Sequence, residues 1–223
     1  PLHFNSTSDA YKKGIASVYQ EMSLVPGLTV AENIFLGRLP KKNNMINWPQ
    51  TFQKAAELLK IMKTEIDPRE KVSRLSMWQM QVVEITKALS FDPKVIMLDE
   101  PTSALAQNEI EKLFEAIRAL RNHGVIVIYI SHKLQELPQI ADTVTVLRDG
   151  KLIGKRRMNE LTHKDIVHMM FGEVRVRTRP KDLRAQEEII LEVRDLTRAG
   201  HYNDINFQLK KGEVLGIAGM LGS

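Results

Sequence analysis

Three short apolar runs, each ending in a polar residue able to do chemistry, constrain this chain more than any other feature. Val95-Ile96-Met97-Leu98 runs into Asp99-Glu100, Val125-Ile126-Val127-Ile128-Tyr129-Ile130 runs into Ser131-His132, and Gly14-Ile15-Ala16-Ser17-Val18-Tyr19 runs into Gln20. Strand signals of this kind alternate with helical stretches along the first part of the chain. An open α/β sheet is therefore expected from Gly14 to about Gly172. In such sheets ligands lie beyond the carboxyl ends of the strands, where these polar residues fall.

The intervening stretches read as helices. Over Thr51 to Glu65, the residues Ala55, Leu58, Leu59 and Met62 recur at spacings of three and four, with Pro49 placed near the start. Ser76 to Leu89 carries a buried stripe of Val82, Val83, Ile85, Ala88 and Leu89, with Ser76 as its N-cap. Asn108 to Arg121 reads as a third helix. Thr143 to Arg148, Asp149-Gly150 and Lys151 to Gly154 read as a hairpin with an Asp-Gly turn.

Beyond Gly172 the pattern changes. Residues 173–187 are polar and basic, with Pro180 and no long apolar run, and predict a linker. Strand patterns resume over Ile189 to Val193, Ile205 to Leu209 and Val214 to Ala218. Net charge is +5, but acids and bases interleave, and the main basic cluster (Arg175, Arg177, Arg179, Lys181, Arg184) lies in the expected linker. A solvated linker explains that cluster better than nucleic-acid binding, so no nucleic-acid partner is expected. The chain has no cysteine, which removes disulfide and thiolate-metal chemistry. Val125 to Ile130 is far short of a membrane span, so a membrane role would run through a partner. The first residues lack a basic stretch followed by an apolar core and do not read as a secretory signal. The sequence begins at Pro1 rather than Met, and a piece of a longer protein is the expectation.

Each polar strand end has an ordinary reading and a chemical one. Asp99 can hold Mg²⁺, a hard ion that prefers oxygen, and Glu100 beside it can polarise a water for attack on a phosphoryl group. Taken alone, an Asp-Glu pair is more often a surface turn, and short motifs match by chance. His132 can bind a phosphate oxygen or position water, although a strand-end His is more often structural. Gln20 can reach a metal or a water without bringing charge. Ser76 at a helix N-terminus offers a hydroxyl and free amides to a phosphate, or is simply a cap.

Their order and spacing resemble the ABC ATPase family. Gln20 looks like its Q-loop, Leu75-Ser76-Met77-Trp78-Gln79 like its signature, and Val95 to Glu100 like its Walker B strand with the catalytic glutamate. Pro101 to Leu105 resembles its D-loop region, and His132 its switch histidine. Within the family, Gln79 to Leu89, Tyr129 to Lys133, Leu147 to Gly150 and Lys211 to Gly219 are similar to the tandem monosaccharide-importer branch, resembling ribose and galactose importers. The resemblance implies a P-loop NTPase-type α/β core with a helical subdomain, incomplete at both ends. Residues 1–172 would be a first ATP-binding domain, with its helical subdomain at about 22–92. Residues 173–187 would be a linker, and 188–223 the start of a second such domain. It implies ATP and Mg²⁺ as cofactors, with Glu100, His132 and Gln20 catalytic and Asp99 and Gln20 on the metal. Ser76, Gln79, Gly219, Gly222 and Ser223 would contact nucleotide. It also implies transmembrane permease subunits as partners, a periplasmic or extracellular sugar-binding protein as an indirect one, and peripheral attachment to the cytoplasmic face of the bacterial plasma membrane. Val25 to Val30 with Glu32-Asn33 would lie in the permease-docking segment.

The sequence departs from that pattern in three places. No Gly-x-x-x-x-Gly-Lys-Ser/Thr lies between Pro1 and Gln20, and Gly219-Met220-Leu221-Gly222-Ser223 matches only the first five positions of such a loop. Met77 and Trp78 stand where the signature has two glycines, and glycine is what lets a backbone approach a phosphate closely. Ala106 stands where the D-loop usually has Asp. The resemblance then implies an asymmetric subunit: Glu100, Asp99, Gln20 and His132 serve one ATP, Ser76 and Gln79 face the other, and the second site is the weaker. The expected function is the ATP-hydrolysing subunit of a monosaccharide importer, the given chain being inactive alone without a complete P-loop. The alternatives are a soluble ABC ATPase acting on ribosomes or DNA, and a non-catalytic interaction module.

Overall fold

The computed structural model describes residues 3–172 and 187–218. Two compact units, 1–172 and 173–223, divide the chain. The expected linker and its basic cluster lie outside the described residues apart from Glu187, as do Gly219, Gly222 and Ser223.

The first unit is built on a three-stranded parallel sheet. A short helix α1 (Thr7–Lys12) leads into β1 (Ile15–Val18). The chain then forms α2 (Val30–Ile34), a small hairpin β2 (Lys41–Lys42) and β3 (Met45–Ile46), and the helices α3 (Trp48–Ile61) and α4 (Met77–Leu89). It returns to the sheet as β4 (Val95–Asp99), crosses through α5 (Gln107–Asn122) and re-enters as β5 (Ile126–Ile130). Strand β4 is central, in the order β1-β4-β5. Its register sets Val18 beside Leu98 and Asp99 beside Ile130, so all three strands end at one edge. The three apolar runs thus form the sheet expected of them.

Packing follows the period of the sequence. Alternate residues Ala16, Val18, Ile96 and Leu98 are buried in one core with Val82, Val83 and Ile85 of α4 and Leu113, Phe114 and Ile117 of α5. On β5 the opposite set, Ile126, Ile128 and Ile130, is 62%, 45% and 47% exposed. Helices α2, α3 and α4 pack on one another, and α4 also reaches β1 and α5, which joins the helical region to the sheet.

Helix α3 starts earlier than its apolar stripe predicts. Asn47 caps it, the side-chain oxygen accepting from the Gln50 amide at 3.2 Å, with Pro49 in the first turn. It ends before Lys63, whose φ of +53° is left-handed. The hairpin β2–β3 carries no strand-length apolar pattern. It turns on Asn43 and Asn44 at φ +51° and +65°, a backbone that asparagine tolerates well.

After β5 come α6 (Leu137–Ile140), the antiparallel pair β6 (Thr143–Arg148) and β7 (Lys151–Arg157), and α7 (His163–Phe171). Asp149 and Gly150, at φ +50° and +73°, make the expected tight turn. Val144 and Val146 share a small core with Leu137 and Ile166. Thr162 and Asp165 cap α7 reciprocally, and those hydrogen bonds hold the Asp165 carboxyl below its usual range.

The second unit is the antiparallel pair β8 (Ile189–Arg198) and β9 (Tyr202–Lys210), which extends past both expected strands. The third expected strand, Val214 to Ala218, does not form, and Val214 and Ile217 are 89% and 87% exposed. A nearly all-apolar strand needs neighbours and two covered faces. Among the described residues this run has neither.

Candidate nucleotide-hydrolysis site

Where the three strands end, the structure joins three of the residues singled out by sequence. Glu100 follows β4 with φ +46°, a left-handed conformation uncommon for a non-glycine residue. Its backbone is fixed by its own amide donating to the Ile130 carbonyl at 2.9 Å. One carboxylate oxygen, Oε2, accepts from Gln20 Nε2 at 3.2 Å, and the other, Oε1, lies 2.8 Å from His132 Nδ1. A carboxylate only accepts, so the imidazole proton sits on Nδ1. Two donors from the neighbouring strand ends therefore aim Glu100, and each oxygen keeps a lone pair for water.

Asp99 is half-buried, and its side chain makes no hydrogen bond among the described residues. Its carboxylate and the Gln20 amide oxygen are hard donors. They suit Mg²⁺, which keeps most of its waters and takes one or two carboxylates beside phosphate oxygens. No cluster of three His, Asp or Glu residues able to enclose a metal occurs among the described residues. An open, oxygen-only donor set of this kind fits Mg²⁺ better than a structural metal.

Ser76 and Gln79 do not join this cluster. They stand at the N-terminus of α4, where Gln79 Oε1 accepts from the Ser76 amide at 2.9 Å. Ser76 is exposed and holds the N-cap position of α4 as expected, with Gln79 completing the capping box from the third helical position. Trp78 is partly buried against the core, with Lys112 Nζ 5.0 Å from its ring centroid. Its indole thus packs where α4 meets α5, while Met77 beside it is exposed.

The segment after Gln20 is tied to α4 and to the approach to Ser76. Ser23 donates to Glu84 Oε1 at 2.6 Å and accepts from Lys87 at 2.7 Å. The carbonyls of Pro26 and Leu28 accept from the amides of Ser73 and Val72. Asn33 is fully buried and clasps Val25 and Thr29 by its side-chain amide, so it shapes this loop from inside. Val25, Pro26 and Gly27 form its longest exposed run.

Sequence reasoning missed Glu136. Buried to 4% exposure, it accepts hydrogen bonds from Thr102, Tyr129 and Ser131, directly behind Glu100 and His132. A lone glutamate four residues past His132 gives no sequence signal, because its partners are gathered only by the fold.

The sequence profile of the ABC transporter family matches residues 2–103, the stretch carrying Gln20, the α4 N-terminus and Glu100. The chain belongs to the ABC transporter family of ATP-binding proteins. A ribose import ATP-binding protein of Rubrobacter xylanophilus is 43% identical over 100% of this chain and 45% of its own length. A galactose/methyl galactoside import ATP-binding protein of Haemophilus influenzae is 39% identical over 100% of this chain and 44% of its own. The chain thus spans less than half of these relatives. Among solved structures, the ADP conformation of an ABC transporter's ATP-binding cassette superposes with a TM-score of 0.60 at 24% identity, covering 74% of this chain and 67% of that one. That likeness establishes the ATP-binding-cassette fold. No helix among the described residues is long and apolar enough to cross a membrane.

Proposed function

We propose that this chain supplies the hydrolytic residues of an ATPase subunit that drives monosaccharide import. The observation that carries the reading is the contact of Gln20 and His132 with opposite oxygens of Glu100. The names of the ribose and galactose relatives support the substrate class.

Glu100 aligns a water and takes up its proton as the water oxygen bonds to the terminal phosphorus of ATP and the bond to the bridging oxygen breaks. His132, with its proton on Nδ1 toward Glu100, holds the carboxylate in line. Gln20 reports on the same carboxylate and passes its position to the Val25–Gly27 loop. Mg²⁺ held by Asp99 and the Gln20 oxygen would neutralise phosphate charge. Ser76, exposed at the N-terminus of α4, would meet a second nucleotide, and Gly219, Gly222 and Ser223 would belong to that second site.

The exposed Val25-Pro26-Gly27 loop is the proposed contact with a transmembrane permease; the subunit would then work on the cytoplasmic face of the membrane, with a sugar-binding protein acting from the far side. The Pro26 carbonyl bonds to the Ser73 amide, and that of the adjoining Leu28 to the Val72 amide, which lets a movement there reach Ser76. The test is ATP-driven uptake of labelled ribose and galactose into vesicles carrying the permease and its binding protein. Uptake that requires the intact subunit and ATP is expected. Equal uptake with the subunit omitted would remove the importer assignment.

A further inference from the structure

We propose that Glu136 is the positioning residue that holds His132 against Glu100, a role that rests on the reading of the Gln20–Glu100–His132 trio given above.

His132 cannot place itself. Its side chain is 65% exposed, and the carboxylate of Glu100 is its only hydrogen-bond or ion-pair partner among the described residues. An exposed ring with one contact has little packing to fix it, so its backbone must be fixed instead. The residues on either side of it are bound to Glu136. Ser131 donates to Glu136 Oε2 at 3.0 Å. The Lys133 amide donates to Ser131 Oγ at 2.9 Å, and Lys133 Nζ lies 3.8 Å from Glu136 Oε1.

The same carboxylate grips the loop carrying Glu100. Thr102, 1% exposed, donates to Glu136 Oε1 at 2.7 Å, and Lys133 Nζ donates to the Thr102 carbonyl at 2.7 Å. The turn closes back on Glu100 through the Ser103 amide, which donates to the Glu100 carbonyl at 3.1 Å. Tyr129, in β5, adds a third hydroxyl to Glu136 at 2.6 Å. Burial first, and then the neighbouring carboxylate, push the Tyr129 phenol well above its ordinary range, so it stays a donor. One buried carboxylate thus pins both loops whose tips meet at the 2.8 Å Glu100–His132 contact.

A buried charge is a poor way to gain stability, since apolar replacements often match or exceed it. It is a good way to fix a single geometry, because only one arrangement satisfies three hydroxyls and an ammonium at once.

The test needs no nucleotide. In the 223-residue chain, Glu136→Gln keeps the side-chain shape and replaces one acceptor oxygen by a donor. Amide exchange at Ser103, Leu105 and Lys133 is expected to speed up by about tenfold, while Ile96 and Leu98 in β4 stay within about twofold. The His132 ring resonances are expected to move, although residue 136 does not touch the ring. Unchanged ring signals, unchanged loop amides, or all five amides accelerating together would each overturn the proposal. If Glu136→Gln does not fold, Thr102→Val is read on the same signals, since it removes one hydroxyl and keeps the shape. Failure of both variants to fold also overturns it, because Glu136 is then a general stabiliser. In a subunit bearing a complete phosphate-binding loop, ATP turnover that persists after Glu100→Gln would leave these results untouched and would count against the trio instead.

Discussion

Glu100→Gln in a subunit bearing a complete phosphate-binding loop is expected to lower ATP turnover by about 10²–10⁴-fold while nucleotide affinity stays within a few-fold. The substitution preserves shape and one acceptor oxygen, so Gln20 or His132 can still hydrogen-bond to it. What disappears is the base. Because the role proposed for Glu100 is toward water rather than the phosphate grip, the loss belongs in kcat and not in binding. Single-turnover hydrolysis beside equilibrium ATP binding separates the two. Turnover that persists within tenfold of the parent would mean that another group activates the water. Asp99, the nearest carboxylate along the strand, would be the first to test. A parallel collapse of ATP binding would mean that Glu100 holds nucleotide, a different role from the one its two donors suggest.

Phe114→Ala is expected to destabilise the first unit by about 3–5 kcal/mol, read from the urea midpoint at unchanged slope. Phe114 is fully buried on α5, and its ring meets Tyr129 edge-on at 6.1 Å between centroids and 76° between planes. The cost combines lost transfer energy with a cavity between α5 and β5 that a sheet strand cannot easily collapse into. Against a typical domain stability of about 5–15 kcal/mol, such a loss leaves little reserve. Tyr129 also donates to Glu136, so the His132 contact should loosen in this variant even where the fold survives. A change below about 1 kcal/mol would show that the α5–β5 layer repacks freely. The firm placement of β5 and its terminal His132 would then lose its support.

The sheet and its helices were legible because burial imposes a period. β1, β4 and β5 are largely apolar, and α4 and α5 show stripes at three and four, so both patterns survive without knowledge of the partners. Features set by single polar contacts were less legible. The start of α3 depends on the Asn47 side chain, and the β2–β3 turn depends on two asparagines in a left-handed backbone. Val214 to Ala218 misled for the opposite reason: its pattern is a strand's, but a pattern supplies no neighbour to pair with. At the site, Gln20, Glu100 and His132 could be found because each follows an apolar run, and adjacent parallel strands carry such ends together. Glu136 could not, since its hydroxyl partners lie 5, 7 and 34 residues away. Trp78 was legible as a departure from the signature but not as a packing residue. Its contact with Lys112 of α5 depends on how the two helices meet.

The most direct measurement is paramagnetic broadening by Mn²⁺·ATP of a chain joined, ahead of residue 1, to a phosphate-binding loop of the Gly-x-x-x-x-Gly-Lys-Ser form. The Gln20 side-chain amide and the His132 ring are followed, with Mg²⁺·ATP as the diamagnetic reference. If the trio at the strand ends faces the metal and terminal phosphate, both signals disappear with Mn²⁺·ATP and persist with Mg²⁺·ATP. Saturating ATP binding with both signals intact would place the nucleotide elsewhere and contradict the assignment of Gln20, Glu100 and His132 to hydrolysis.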